Sequence, residues 1–381
     1  MIYLDNSATT RVLPEAADAA YRAMTEQFYN PASAYQPAVA AERSVEQARA
    51  RLAAALGAGA DEVLYTSGGT ESNNMAVLGS LKPMRGKRRI IATMGEHPSV
   101  FEVFRSLETA PETEVVFLGL LPDGTVDLNE LESALTPETA FVSVMHVNNE
   151  VGAINDLNAV SALVKRLSPS ALLHSDGVQA FCKLPFSRLP ADLYSISAHK
   201  FHAPKGVGAL LVKNGVRFAG GQLGGGQERN LRSGTTNVPG ILALDAALSL
   251  YRERQTEWIA RMRACKTRLA EALLTIPDAV VSGPSPESGA PHILNVSFPG
   301  VRGEVLVNAL SERGICVSTG SACSTHKKGQ NRILAAMGVS GARAEGALRF
   351  SLCPFNTPEE MDAAACALSE QVAFLRRFQR R

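Results

Sequence analysis

Short apolar runs that alternate with helix-length segments constrain the fold of this chain more than any other feature. Seven such runs are legible, at residues 62–66, 89–94, 114–119, 140–147, 171–175, 192–198 and 208–212. Continuous apolar runs of this length are typical of strands that are buried on both faces, and helices between them serve as right-handed crossovers. The pattern predicts an α/β fold in which a mainly parallel seven-stranded sheet is covered by helices on both faces.

The remaining sequence predicts a second, smaller unit. An almost wholly helical stretch at 241–274 has the pattern of a connector that leaves the sheet. Beyond it, strands are expected near 292–298 and 348–352, and helices near 304–313 and 358–378, which is an α+β arrangement. We therefore predict a large domain at 13–254 and a small domain formed by 1–12 and 255–381.

Composition narrows the possible functions. The 381 residues are 45% hydrophobic and 20% charged with a net charge of +1, so nucleic acid and membrane are not expected as direct partners. The N-terminus lacks a basic region followed by an apolar core, and six cysteines occur without paired spacing, which predicts a cytoplasmic protein with free thiols. Cys323 and His326 form one C-x-x-H pair, but no second pair supports a metal site.

Lys200 is the first candidate functional residue. It follows the apolar run 192–198 and precedes a segment rich in glycine, proline and histidine. In an open parallel sheet, ligands bind at the carboxyl ends of the strands, and an amine at that edge suits Schiff-base chemistry with a carbonyl cofactor. A solvated loop lysine is the alternative for any lone lysine.

A glycine-rich segment at 66–74 (TSGGTESNN) follows a strand and begins a helix. Gly68 and Gly69 allow backbone N–H groups to converge, Thr70 adds a hydroxyl, and the helix N-terminus carries a partial positive charge, which together favour a phosphate site. The Gly-Lys-Ser/Thr ending of a P-loop is absent. An ordinary glycine-rich turn before a helix has the same pattern.

Three further polar residues follow strands at the same edge. Asp176 would stabilise a nearby cation such as a pyridinium nitrogen, Asn149 would supply hydrogen bonds, and His97 would stack on an aromatic ring or move protons. Taken singly, each is equally compatible with a turn or surface residue. Together with Lys200 and the glycine-rich segment, they predict a pocket for pyridoxal phosphate.

Cys323 is the second reactive feature. It lies among small residues and is followed by His326, Lys327 and Lys328, so an exposed thiol whose thiolate is favoured by positive charge is predicted. A buried, inert cysteine is the alternative. Arg349 lies within a strand-like segment, where it would pair either with an acidic residue or with a substrate carboxylate.

These segments resemble the cysteine desulfurases, a group of class V, fold-type I pyridoxal phosphate enzymes that includes bacterial housekeeping and nitrogen-fixation (IscS- and NifS-like) types. The resemblance covers nearly the whole chain. The matching segments are 3–10 (YLDNSATT), 30–33 (NPAS), 66–74, 96–97 (EH), 145–152 (MHVNNEVG), 197–200 (SAHK), 224–235, 321–323 (SAC) and 349–351 (RFS).

The resemblance implies a role for each matched residue. Lys200 would carry the cofactor and His97 would stack on its ring. Asp176 would pair with the pyridine nitrogen and Gln179 with the ring oxygen. The remaining residues would hold the phosphate (Gly69, Thr70, Ser197, His199 and, from the partner subunit of a homodimer, Thr235) or the substrate (Asn149 and Arg349).

The implied reaction removes sulfur from L-cysteine. Lys200 would move the Cα proton and Cys323 would attack the substrate sulfur, which yields L-alanine and an enzyme persulfide. The sulfur would pass to an acceptor protein, either an iron-sulfur cluster scaffold or a tRNA-thiolation enzyme. A selenocysteine lyase and an aminotransferase-like class V enzyme remain as alternatives of the same fold.

Two departures from the family pattern affect these expectations. The segment after Cys323 is short and basic, which leaves the acceptor open. Gly177 stands where alanine is common in the family, and only a mild change of packing is expected from it.

Overall fold

The structure, a computed structural model, describes residues 1–86, 88–320 and 331–378. Its strands are β1 (Ile2–Tyr3), β2 (Val63–Thr66), β3 (Arg88–Thr93), β4 (Thr113–Leu118), β5 (Thr139–Ser143), β6 (Leu172–Asp176), β7 (Leu193–Ser197), β8 (Gly208–Val212), β9 (Val280–Val281), β10 (Ile293–Ser297), β11 (Ile315–Cys316) and β12 (Ala347–Ser351). Its α-helices are α1 (Pro14–Thr25), α2 (Gln36–Leu56), α3 (Gly69–Leu81), α4 (Pro98–Leu107), α5 (Leu128–Ala134), α6 (Leu157–Leu167), α7 (Val238–Leu273), α8 (Gly303–Glu312), α9 (Arg332–Ala336), α10 (Gly341–Glu345) and α11 (Pro358–Arg376).

The helices begin and end where the local chemistry favours it. Asp127 and Asp156 accept hydrogen bonds from backbone N–H groups in the first turns of α5 and α6. Thr357 and Glu360 form a capping box at the start of α11. Helix α2 ends at Gly57, which adopts the left-handed conformation (φ 65°) that glycine tolerates best.

The main sheet contains seven strands in the order β2-β8-β7-β6-β5-β3-β4. All of its pairings are parallel except those of β8, which runs antiparallel to both β2 and β7. The predicted mainly parallel sheet of seven strands is therefore confirmed. Strand β5 ends at Ser143, earlier than the predicted 147, but the chain continues beside β6 because the His146 N–H donates to the Asp176 carbonyl (3.0 Å).

Two large apolar clusters form the core. One lies between a face of the main sheet and helices α1, α2, α6 and the first half of α7; a further cluster on the opposite face lies under α3 and α4. The other large cluster lies between the antiparallel sheet β12-β10-β9 and helices α8 and α11. The predicted helical connector is confirmed as the 36-residue helix α7, which contributes Trp258 to the first cluster and Leu269 to the second.

The first residues of the chain pair with its last third. Strand β1 runs parallel to β11, and Asp5 forms a bridge with Ser351 at the end of β12. Residues 5–10 then continue to the carboxyl edge of the main sheet, where the Thr10 N–H donates to the His199 carbonyl (3.0 Å). The domain boundaries given above remain a prediction.

Among the helices in the described part of the chain, none has the length and apolar character needed to cross a bilayer. The cysteines that the structure describes, at positions 182, 265, 316, 353 and 366, carry free thiols.

Candidate active site

The glycine-rich segment forms a cradle at the carboxyl end of β2. Gly68 (φ 150°) is the N-cap of α3 and has no side chain to accept from the first-turn N–H groups, which leaves these donors for an anion. A Cβ atom at Gly69 would lie 2.7 Å from Val178 Cγ2 and 3.4 Å from Ser197 Cβ. Only glycine therefore lets the start of α3 approach the ends of β6 and β7 this closely. Thr70 is exposed at the rim of the cradle.

Asp176 is the last residue of β6, and its side chain is 2% exposed. Its Oδ1 accepts from the Val178 N–H (2.9 Å), and its Oδ2 accepts from Asn73 Nδ2 (2.7 Å). Two donors to one carboxylate fix its plane. The arrangement suits a carboxylate that must face a cationic nitrogen.

His97 is the N-cap of α4, and the charges of Asp176 and Lys200 act on its imidazole. Its Nδ1 accepts from the Ser99 N–H (3.1 Å) and lies 2.7 Å from Ser99 Oγ. Burial lowers the pKa of His97, the Asp176 carboxylate opposes this shift, and Lys200 and Arg332 add to it. A neutral imidazole is therefore favoured beside the lysine.

Lys200 lies in a short 3₁₀ turn, Ala198–Lys200, directly after β7. Its Nζ donates to the carbonyls of Ser7 (2.6 Å) and Ala8 (2.8 Å), and Gln179 Nε2 donates to the same Ser7 carbonyl (3.0 Å). The N-terminal segment thus brings the predicted Schiff-base lysine and the predicted ring-oxygen partner to one point.

Lys183 lies behind Gln179 and is 1% exposed. Its Nζ donates to Gln179 Oε1 (3.2 Å), which turns the amide nitrogen of Gln179 toward the site. Burial lowers the pKa of Lys183 to about 7, and the charge of Lys200 adds to the shift. Sequence reasoning missed this residue, although a lysine four positions after Gln179 on a buried segment is a signal of such a contact.

His199 is the third polar side chain beside Lys200. Its Nδ1 lies 3.1 Å from Thr9 Oγ1. Burial lowers the pKa of His199 to about 3, with Lys200 and Lys205 adding to the shift. The imidazole is therefore neutral and can give a phosphate group a hydrogen bond but no charge.

Arg349 in β12 forms the opposite wall of the site and is 3% exposed. Its Nη2 pairs with Asp5 Oδ1 (2.7 Å), and its Nη1 donates to the Asn149 carbonyl (3.0 Å). Arg349 Nε and Asn149 Oδ1 are buried without a hydrogen-bond partner among the described residues. Both residues predicted to hold the substrate therefore meet here, each with a polar atom still to be satisfied.

Two predicted site residues remain, Cys323 and Thr235. Cys323 lies outside the described residues. Gly320 and Asn331 flank the undescribed segment, and both reach Glu150: a Cβ atom at Gly320 would lie 3.1 Å from Glu150 Oε2, and Asn331 Nδ2 donates to the same oxygen (2.7 Å). Thr235 is exposed, in a loop that lines a small cavity with Thr66 and Ser67.

The expectation for Gly177 is wrong. A Cβ atom at this position would lie 2.0 Å from Cζ of Tyr194, whose hydroxyl is 2.8 Å from His146 Nδ1. The tyrosine ring occupies the volume that an alanine methyl group would need, so the glycine accommodates Tyr194 and is not a mild variation.

Residues 2–364 match the family described as aminotransferase class-V. The chain belongs to this family. A relative named cysteine desulfurase, from Trichormus azollae, is 39% identical over 379 residues, which cover 99% of this chain and 94% of the relative.

Two solved structures agree with this class-V membership. A NifS-like protein is 38% identical with a TM-score of 0.92, and the match covers 98% of this chain and 100% of that one. The protein SspA in complex with cysteine is 28% identical with a TM-score of 0.81 over 94% of this chain and 100% of its own. The fold-type I assignment and the resemblance to cysteine desulfurases are confirmed.

Members of this class-V family use pyridoxal phosphate, and the side chains described here fit that cofactor. The glycine cradle at α3 suits a phosphate, Asp176 suits a pyridine nitrogen, and Lys200 suits an aldehyde. These groups share one sheet edge because β2, β7 and β6 all end there, with the antiparallel strand β8 between β2 and β7.

Proposed function

We propose that this chain is a pyridoxal phosphate-dependent cysteine desulfurase that converts L-cysteine to L-alanine and leaves the sulfur as a persulfide on Cys323. The convergence of Lys200, His97 and Asp176 at one edge of the main sheet carries the proposal. The bound cofactor supplies an aldehyde carbon and an electron-withdrawing ring.

Residues of the sheet edge bind and orient the cofactor in this proposal. The first-turn N–H groups of α3, with Gly69, Thr70, Ser197 and His199, hold the phosphate. Asp176 keeps the ring nitrogen protonated, because a buried carboxylate with two hydrogen bonds strongly favours an adjacent cation.

Proton movement is assigned to Lys200 and His97. Lys200 Nζ lies just after β7 and donates to the Ser7 carbonyl. It would hold the cofactor through its aldehyde and would move the Cα proton of the substrate. His97, kept neutral by burial, would stack on the ring without adding a charge to it.

Substrate orientation is assigned to Arg349 and Asn149. A planar guanidinium binds a carboxylate through two parallel hydrogen bonds, and Arg349 has its Nε still to be satisfied. The binding of cysteine by the related SspA supports an amino-acid ligand of this size. Holding the carboxylate here would fix which Cα bond faces Lys200.

Cys323 is the proposed nucleophile. Its thiolate would form a bond to the substrate sulfur while the carbon–sulfur bond breaks, and the carbon skeleton would take up protons to leave as alanine. Gly320 lies close to Glu150 and Asn331 donates to it, which supports this assignment because Glu150 adjoins Asn149, the proposed substrate residue.

The decisive experiment compares Cys323→Ala with Cys366→Ala, which removes an exposed thiol far along the chain. The purified proteins are mixed with L-cysteine, and visible absorbance, alanine and sulfide are measured. We expect Cys366→Ala to behave as the wild type, whereas Cys323→Ala changes its absorbance with cysteine but forms no persulfide-derived sulfide.

An aminotransferase-like enzyme would keep its activity in both variants, and a selenocysteine lyase would act only on L-selenocysteine. A wild-type protein that stays colourless and inactive with added cofactor would overturn the proposal.

We further propose a cytoplasmic homodimer that passes its sulfur to an acceptor protein, either an iron-sulfur cluster scaffold or a tRNA-thiolation enzyme. The exposed position of Thr235, in a loop beside the glycine cradle, supports a contact with the partner's phosphate site. Mixed dimers of Lys200→Ala and Thr235→Ala chains test this at low cofactor concentration. One site of such a dimer is intact, so activity should exceed that of either variant alone; no gain would contradict a composite site.

A further inference from the structure

Two buried side chains without a role so far, Asn73 and Ser99, lie between His97 and Asp176. Asn73 on α3 is 1% exposed, and its Nδ2 lies 2.9 Å from Ser99 Oγ and 2.7 Å from Asp176 Oδ2. Ser99 on α4 places its Oγ 2.7 Å from His97 Nδ1. A continuous chain of hydrogen bonds therefore joins the predicted ring-stacking histidine to the predicted partner of the ring nitrogen.

The chemistry of these groups sets the direction of every proton in the chain. The Asp176 carboxylate can only accept, so the amide nitrogen of Asn73 faces it and gives its second hydrogen to Ser99 Oγ. The Ser99 backbone N–H already donates to His97 Nδ1. That nitrogen must therefore carry a lone pair, and the Ser99 hydroxyl donates to it as well.

We propose that Asn73 and Ser99 are positioning residues that hold His97 in the neutral tautomer protonated on Nε2 and fix the carboxylate plane of Asp176. This inference rests on the proposed function and assigns a new role within the same site. Protonation of Nδ1 would require the Ser99 N–H to withdraw and the Ser99 hydroxyl to turn from donor to acceptor, because one lone pair cannot accept these donors and also hold a proton.

The charged groups around His97 do not depend on the two positioning residues. Asp176 on β6, Lys200 after β7 and Arg332 on α9 act on the imidazole from three different elements. None of them is removed when Ser99 is changed to alanine. A changed protonation of His97 in that variant therefore reports the loss of the hydroxyl itself.

The test is ¹⁵N NMR of ring-labelled histidine in the cofactor-loaded and cofactor-free proteins, with His97→Gln used to assign the signal. The wild type should show His97 protonated on Nε2 alone. Ser99→Ala keeps only the backbone N–H donor to Nδ1 (3.1 Å), so part of the population should become protonated on Nδ1. The His97 pKa should rise by about 0.5 to 1 unit, because the neutral form loses one hydrogen bond. Ser99→Thr, which keeps the hydroxyl, should restore the wild-type signal.

Ser106→Ala is the matched control, since its hydroxyl on the same helix donates only to the Val103 carbonyl (2.7 Å) and should leave the signal unchanged. An unaltered tautomer and pKa in Ser99→Ala would overturn the role of Ser99. This readout needs no turnover, so it is separate from the test of the proposed function, which measures the alanine and sulfide formed from cysteine.

The role of Asn73 is tested with a second pair of variants. Asn74→Ala is the control, because Asn74 Nδ2 donates to the Ser99 and Thr70 carbonyls (both 3.0 Å) and not to the chain of side chains. Asn73→Ala should show the mixed tautomers of Ser99→Ala and bind pyridoxal phosphate about tenfold more weakly, since Asp176 loses a charge-assisted bond. Equal losses in both variants, or wild-type signals in Asn73→Ala, would overturn the proposal for Asn73.

Discussion

The two ends of the candidate site are built in different ways. At the cofactor end, Asp176 and His97 are held by Asn73 and Ser99, and all four lie at the end of β6 or in the first two turns of α3 and α4, between residues 73 and 176. At the substrate end, Arg349 is held by an ion pair with Asp5, which lies 344 residues away in sequence. The cofactor end forms from neighbouring strands and helices of the main sheet. The substrate end forms only when the first residues of the chain pack against β12.

This difference has a consequence for binding. At the cofactor end, the Asp176 carboxylate keeps its two donors and has further lone pairs, and the first-turn N–H groups of α3 can still donate. A ligand would therefore bind without displacing an existing contact. The guanidinium of Arg349 is already paired with a carboxylate at 2.7 Å. A substrate carboxylate that binds Nη2 would have to compete with Asp5, and its affinity would then be the difference between two similar interactions.

The largest expected effect is that of Lys200→Ala, which removes the side chain that we propose acts on both cofactor and substrate. Loss of both the covalent attachment and the proton carrier should lower kcat by at least about a thousand-fold. The visible absorbance of the lysine-bound cofactor should be lost as well. Lys205→Ala, which removes an exposed lysine five residues later, is the control and should keep both signals. Full activity in Lys200→Ala would show that Lys200 neither holds the cofactor nor moves the proton.

The second prediction concerns pH and the cofactor end. Burial, with the charge of Asp176 adding to it, raises the pKa of Glu96 from 4.5 to about 7. Between these values the folded protein keeps a proton that the unfolded chain releases, so this contribution to stability is present below pH 4.5 and is lost as the pH rises to about 7. The loss amounts to about 3 kcal/mol, at about 1.36 kcal/mol for each unit.

Urea unfolding across this pH range tests the prediction with Glu96→Gln, which cannot ionise. The stability of the variant relative to the wild type should rise by about 3 kcal/mol between pH 4.5 and 7.5. Glu102→Gln removes an exposed carboxylate on α4, the helix that follows Glu96, and should follow the wild-type curve. Parallel curves for Glu96→Gln and wild type would show that the proton is not held at Glu96.

The third prediction addresses the substrate end. Arg349→Ala should raise KM for L-cysteine by about 100-fold with a smaller change in kcat, because two charge-assisted hydrogen bonds to the carboxylate are lost. Arg349→Lys should lie between, since it keeps the charge but not the planar fork. The control is Arg343→Ala, which removes a half-buried arginine that donates to the Val281 carbonyl. A larger effect on kcat than on KM would show that Arg349 contributes mainly to the chemical step and not to substrate binding.

The contrast between the two ends also explains how much the sequence could predict. The strands of the main sheet were recognisable because strands buried on both faces leave continuous apolar runs, and Lys200, Asp176 and Gly69 lie directly beside such runs. The antiparallel direction of β8 was not predicted, since strand order depends on contacts between distant segments.

Residues that act from inside a helix or from the chain terminus were missed. Asn73 lies on the buried face of α3, together with Ser72 and Met75. A polar side chain on an otherwise buried helix face was the available signal that it has a specific hydrogen-bond partner. Asp5 gave no local signal for its pairing with Arg349, because a terminal segment has no periodicity that shows which strand it will join.

The smallest expected effect sharpens the comparison most. Asp5→Asn keeps the size and the acceptor oxygen at this position but removes the charge that competes for Arg349. If substrate and Asp5 compete, KM for L-cysteine should fall by about three- to tenfold while kcat changes little. The same variant should lose about 1 to 3 kcal/mol of unfolding free energy, because the buried guanidinium keeps a weaker partner.

These two signs must appear together, since one ion pair accounts for both. A lower stability without a lower KM would mean that Asp5 stays bound to Arg349 while the substrate is bound, so the carboxylate would occupy the Nε side of the guanidinium that is buried without a partner among the described residues. In that case the substrate end would be as fully formed as the cofactor end, and the distinction between them would reduce to how far apart in sequence their residues lie.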